Sequence, residues 1–136
     1  MYSKEVLDHF EHPRNTGVVA EADAQALIEN PACGDALKLT ARIVDGRIEE
    51  IRFQAKGCVA SIACASALTE LVLGKTVEEA QSLRREEIVQ AVGGLPQASM
   101  HASHLAMNAL GAVLSKAATH VSGVSLKFTD VKGSFQ

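Results

Sequence analysis

Residues 53–74 read F-Q-A-K-G-C-V-A-S-I-A-C-A-S-A-L-T-E-L-V-L-G. An alternating strand pattern stops at Gly57, Cys58 follows, and an apolar helical pattern begins at once. A thiol at such a handover meets unpaired N–H groups and the positive end of a helix dipole, which favour a thiolate. A thiolate is a metal ligand or a sulfur nucleophile. The fold follows by working outward from this junction, and so does the list of groups that could meet Cys58.

Upstream, Leu37, Leu39, Ala41 and Ile43 alternate with Lys38, Thr40 and Arg42, which predicts a strand with one dry face. Asp45-Gly46 is a hairpin signal, and the return strand carries Ile48, Ile51, Phe53 and Ala55. Glu49-Glu50 puts that alternation out of step by one residue, which predicts a bulge. Nearer the N-terminus, Ser3 caps a short helix with Val6, Leu7 and Phe10 at helical spacing, ended by Pro13. Positions 18–25 read as a loop, and Leu27-Ile28 as a short strand before Asn30-Pro31.

Downstream, Gly74 suits the position just past a helix, and Thr76-Val77-Glu78-Glu79 reads as a capping box opening another. A further short helix spans Glu86 to Val92, with Arg84-Arg85 expected on a solvated face. A long helix is expected from about Ser99 through Thr119, with Leu105, Ala109, Leu110, Val113, Leu114 and Ala117 on its apolar face. Val124–Phe128 could hold a short strand.

The chain has 136 residues, 47% hydrophobic and 21% charged, which predicts one globular domain over 1–136 with the role of the 122–136 tail open. A net charge of −3 without a long Lys/Arg block gives no footprint for nucleic acid. The charged N-terminus does not read as a secretory signal, and no stretch is apolar enough to span a bilayer. Three cysteines in such a chain point to reduced thiols, hence the cytoplasm, and not to a disulfide framework.

Cys33-Gly34-Asp35 stands at the entrance to the hairpin and Cys58 at its exit, and the two ends of an antiparallel hairpin are neighbours. Two thiols and a carboxylate therefore meet by topology. Met100-His101-Ala102-Ser103-His104 opens the long helix, and His101 could complete the set. Sulfur, nitrogen and oxygen donors of this kind suit tetrahedral Zn²⁺ or an iron–sulfur cluster. Either histidine could instead be an ordinary helix residue. Cys64, among Ala60, Ala63, Ala65 and Ala67, reads as a buried structural thiol.

Asp8-His9-Phe10-Glu11-His12-Pro13-Arg14-Asn15, Pro31-Ala32-Cys33-Gly34-Asp35, Lys56-Gly57-Cys58 and His101 together resemble the IscU/NifU-type iron–sulfur cluster assembly scaffolds, in order from about Tyr2 to Thr119. The resemblance implies an α+β fold with a three-stranded antiparallel sheet and helices packed against it. It implies that Cys33, Asp35, Cys58 and His101 hold iron or a labile Fe–S cluster, [2Fe–2S] or else Zn at the same residues. The implied partners are a cysteine desulfurase, which supplies the sulfur, and Fe–S recipient proteins.

Three departures stand out. The family's third ligand cysteine is replaced by Ala102, which can neither bind metal nor accept a persulfide. Leu95-Pro96-Gln97-Ala98-Ser99 departs from the family's chaperone-recognition motif, which argues against delivery through the dedicated chaperone. Val59-Ala60, Cys64 and His104 also differ from the usual residues. Cys64 could replace the missing sulfur but sits roughly 9 Å along the helix axis from Cys58; His104 starts closer to His101.

The expectation is a non-enzymatic scaffold or carrier for a labile cluster. The alternative is a zinc-binding or regulatory paralogue that engages a desulfurase without building clusters. A third reading is an interaction protein with no metal role, although a fold alone requires none of those four side chains. No nucleophile–base pair, Cys-x-x-Cys motif or Gly-rich phosphate loop points to an enzyme.

Overall fold

The computed structural model describes residues 1–30 and 34–121. Its elements are α1 (Lys4–Glu11), β1 (Ala24–Asn30), β2 (Asp35–Val44), β3 (Arg47–Lys56), α2 (Val59–Val72), α3 (Val77–Gln81), α4 (Arg85–Ala91), a 3₁₀ turn (Gln97–Ser99) and α5 (His101–Val121). The strands form one antiparallel sheet in the order β1-β2-β3. The α+β architecture with helices packed on a three-stranded sheet is the one the resemblance implied.

The hairpin forms as its residues dictate. Asp45 (φ 53°) and Gly46 (φ 76°) both take positive φ, as a two-residue type I′ turn requires. Arg42 pairs with Glu50 but Ile43 pairs with Ile48, so Glu49 is the extra residue of a bulge. That slip returns Ile48 to the dry face shared by Leu37, Leu39, Ile51 and Phe53, all buried. Helices α2 and α5 cover this face, α5 lying on β1 and β2 and α2 on β3. Leu68, Leu110 and Val113 fill the layer between.

Other chain segments meet the opposite face of the sheet and its β3 edge. On the opposite face the hydroxyl of buried Thr40 accepts from Val19 N–H at 2.8 Å. The β3 edge is shielded at both ends, by a bridge from Thr16 to Phe53 and another from Thr76 to Arg47. Covering an edge in this way removes a template for unwanted strand pairing.

Helix boundaries follow local chemistry. Ser3 Oγ accepts from Val6 N–H and caps α1. Thr76 and Glu79 form the reciprocal capping box of α3. Gly74 (φ 84°) takes the left-handed conformation just past the end of α2.

Three expectations need correction. The loop read over 18–25 ends sooner, because β1 begins at Ala24. Ala24 and Ala26 are buried under α5, where small side chains allow close packing and leave little alternation to read in sequence. Arg84 is exposed, but Arg85 folds against the start of α5, 3.7 Å from Met100 Sδ and 3.5 Å from Ser103 Oγ. The long helix starts at His101, with the 3₁₀ turn before it. The strand expected at Val124–Phe128 lies outside the described residues.

Candidate metal centre

Three element starts meet at one point. Asp35 is the first residue of β2, Cys58 is the N-cap of α2, and His101 is the first residue of α5. One ligand atom from each lies within 4.8 Å of the other two. The hairpin supplies the first pair: Ala36 faces Lys56 in the register, which puts Asp35 beside Gly57 and Cys58. The packing of α5 across the sheet supplies the third.

Asp35 is the hub. Its Oδ2 lies 3.8 Å from Cys58 Sγ and 3.5 Å from His101 Nε2. Its side chain is only 6% exposed, whereas that of His101 is 37% exposed and Cys58 is half-buried. The site therefore has a dry floor and an open mouth. Gly57 makes the floor possible. A Cβ added there would stand 2.5 Å from Asp35 Oδ1, and its φ of 151° disfavours any side chain.

The spacing has chemical content. Bonds of about 2.3 Å to sulfur and about 2.0 Å to oxygen in a tetrahedral site place those two donors about 3.5 Å apart. The Cys58–Asp35 separation of 3.8 Å is close to that figure and too long for a strong hydrogen bond. Thiol, carboxylate and imidazole are also the donor types that zinc and iron accept.

Sequence reasoning missed Ser61. This buried hydroxyl donates to Asp35 Oδ2 at 2.5 Å and lies 3.3 Å from Cys58 Sγ. Its signal was available: it is the one hydroxyl in the first turn of α2, three residues from Cys58 and hence on the same face.

The other expected residues fall as follows. Cys33 lies outside the described residues. Cys64 is fully buried, and burial first, then the nearby Cys58, pushes its thiol up to about 12. It is a protonated core residue at neutral pH and does not join the cluster. His104 is exposed and is likewise not among the converging groups. Ala102 is buried in the core between the helices and the sheet.

The Asp8–Asn15 motif does a separate job. His9 is buried with Nδ1 2.8 Å from Ser66 Oγ, which also accepts from Arg14 N–H at 2.9 Å. Arg14 bridges to Asp8 at 2.7 Å and Glu70 at 3.5 Å, and Asn15 donates to Thr69 at 3.1 Å. The motif fastens α1 and the turn after it to the middle of α2.

With this geometry in place, comparison with known proteins defines the class. The family model described as NifU-like N terminal domain matches residues 1–121. "Iron-sulfur cluster assembly scaffold protein IscU 1" of Archaeoglobus fulgidus is 47% identical over 110 residues, 81% of this chain and 72% of the relative. "Iron-sulfur cluster assembly scaffold protein IscU" of Escherichia coli K12 is 39% identical over 118 residues, 84% of this chain and 91% of the relative. A crystal structure of a putative scaffold protein for the SUF system from Fervidobacterium islandicum superposes with a TM-score of 0.70. It shares 19% identity, covers 83% of this chain and 96% of its own, and speaks to the fold alone. The chain belongs to the NifU-like N terminal domain family, with IscU-type relatives.

Proposed function

We propose that this protein is an iron–sulfur cluster assembly scaffold, which holds a nascent cluster as cargo between Asp35, Cys58 and His101. The observation that supports this best is the convergence: thiol, carboxylate and imidazole donors from three element starts lie within 4.8 Å of one another at a half-open site. The names of the relatives favour this reading over that of a zinc-holding regulatory paralogue. Cys33 stands two residues ahead of Asp35 in the chain and is the fourth donor of the proposed set.

Two thiolates with two non-thiolate ligands suit a [2Fe–2S] unit, as Rieske centres illustrate with their two histidines. The sulfur would come from a cysteine desulfurase and the product would pass to Fe–S recipient proteins. A half-open mouth at Cys58 and His101 suits both steps, because cargo must enter and leave. The role is that of a carrier, not a catalyst, working where thiols stay reduced, as in the cytoplasm. Among the described residues no helix is long and apolar enough to cross a membrane.

Anaerobic reconstitution with iron, sulfide and thiol tests the proposal. Charge-transfer absorption in the visible is expected, together with transfer of the cluster to an apo-ferredoxin. A colourless product with no bound sulfide would overturn it.

A further inference from the structure

We infer that Ser61 is a positioning residue of the centre: its hydroxyl holds the carboxylate of Asp35 and the thiol of Cys58 at the separation an ion requires. This rests on the donor set proposed above and adds to it a residue that binds no metal itself.

The argument starts from hydrogen-bonding capacity. A hydroxyl has one proton to give and two lone pairs. Ser61 gives its proton to Asp35 Oδ2 at 2.5 Å, a short contact typical of a hydroxyl on a carboxylate. A lone pair then faces Cys58 Sγ at 3.3 Å. One buried atom thus touches two of the three donors, and it sits on the first turn of a rigid helix whose N-cap is the cysteine itself.

The neighbouring features make the contact consequential. Gly57 leaves Asp35 Oδ1 against bare backbone, so one side of the carboxylate is bounded by the chain and the other by Ser61. Asp35 Oδ2 is at once the atom Ser61 holds and the atom nearest both Cys58 and His101. The hydroxyl therefore fixes the rotation of the group on which the geometry of the set depends. Such outer contacts orient ligands, and removing one commonly weakens metal binding about 10–100-fold. The position matters more in a chain with Ala102, because no thiol there shares the task of holding the metal.

The test is an anaerobic titration of the reduced full chain with Co²⁺, whose visible bands report coordination geometry and whose near-ultraviolet band reports the thiolate. The wild-type chain should show both, and Cys58→Ser should lose much of the thiolate band. Ser61→Ala should bind Co²⁺ about 10–100-fold more weakly, with weaker visible bands as the geometry relaxes. Ser61→Thr, which keeps the hydroxyl, should restore affinity and spectrum. Thermal unfolding of the metal-free variants separates a structural role, which would lower Tm without changing the spectrum. Equal affinity and identical bands in wild type and Ser61→Ala would overturn the inference and leave the donor set standing. A wild-type chain with no thiolate band would overturn the donor set, and this inference with it.

Discussion

Helix α2 carries two buried serines five residues apart, one in its first turn and one at its middle. Ser66 sits in a closed network: His9, Arg14 and Asn15 meet Ser66 and Thr69 at 2.8–3.1 Å, each donor finding an acceptor. Ser61 sits beside an open one, where Asp35 stands 3.8 Å from Cys58 and 3.5 Å from His101. Both contain a histidine, a carboxylate and a hydroxyl. The thiol and the opening separate them: Cys58 stands beside a His101 that is 37% exposed, whereas His9 is buried beside carboxylates that Arg14 already pairs.

The largest expected effect falls on the open network. Cys58→Ser should abolish cluster absorption after reconstitution while leaving the unfolding midpoint in urea almost unchanged, since no cap hydrogen bond of α2 comes from that side chain. A large loss of stability in that variant would break the contrast, because the site would then be holding the fold as well.

Gly57→Ala should damage both functions at the junction. The added methyl group would collide with Asp35 on a backbone conformation that costs about 1–3 kcal/mol for a non-glycine residue. Expected are a lower Tm and a weaker metal affinity together. Unchanged Co²⁺ affinity would show that Asp35 can shift without harm, and that its placement is less constrained than the geometry indicates.

Ser66→Ala is the mirror experiment on the closed network. It strands the Arg14 N–H and His9 Nδ1, and an unsatisfied buried group costs about 1–3 kcal/mol. Chemical denaturation should register that loss while Co²⁺ affinity and spectrum stay as in wild type. A spectral change would mean that the two networks communicate along α2.

Much of this was legible in the sequence. The hairpin was, because Asp45-Gly46 and the alternation of Leu37 to Ile43 act over short distances, and hairpin closure then places Asp35 beside Cys58 without further knowledge. His101 was legible only as a histidine at a helix start that could complete the set, because its approach depends on how α5 packs across the sheet. The early start of β1 was hidden by alanines whose burial is decided by α5. Ser61 was hidden by being ordinary: a serine in an Ala-rich helix gains meaning only once a carboxylate faces it. The Asp8–Asn15 motif was legible as a family mark, but its work as a clamp on Ser66 and Glu70 emerges only when α1 docks.

The smallest effect concerns acid. Burial first, then the Arg14 charge, holds His9 below its ordinary value, while Glu70 and Asp8 pull weakly the other way. Ser66 Oγ accepts from Arg14 N–H and shares a hydrogen bond with His9 Nδ1 in a buried setting that disfavours a charged imidazole. In the unfolded chain the same imidazole takes up a proton near pH 6.5. The stabilisation from neutral His9 is therefore complete above about pH 6.5 and is lost as pH falls through the lower folded-state value. Asp8, held low by its hydrogen bond from Arg14, responds only at still more acid pH. Urea midpoints measured at steps from pH 7.5 to 5 should fall for the wild type, and His9→Gln should remove part of that slope. An identical slope in the variant would place the acid sensitivity on another group.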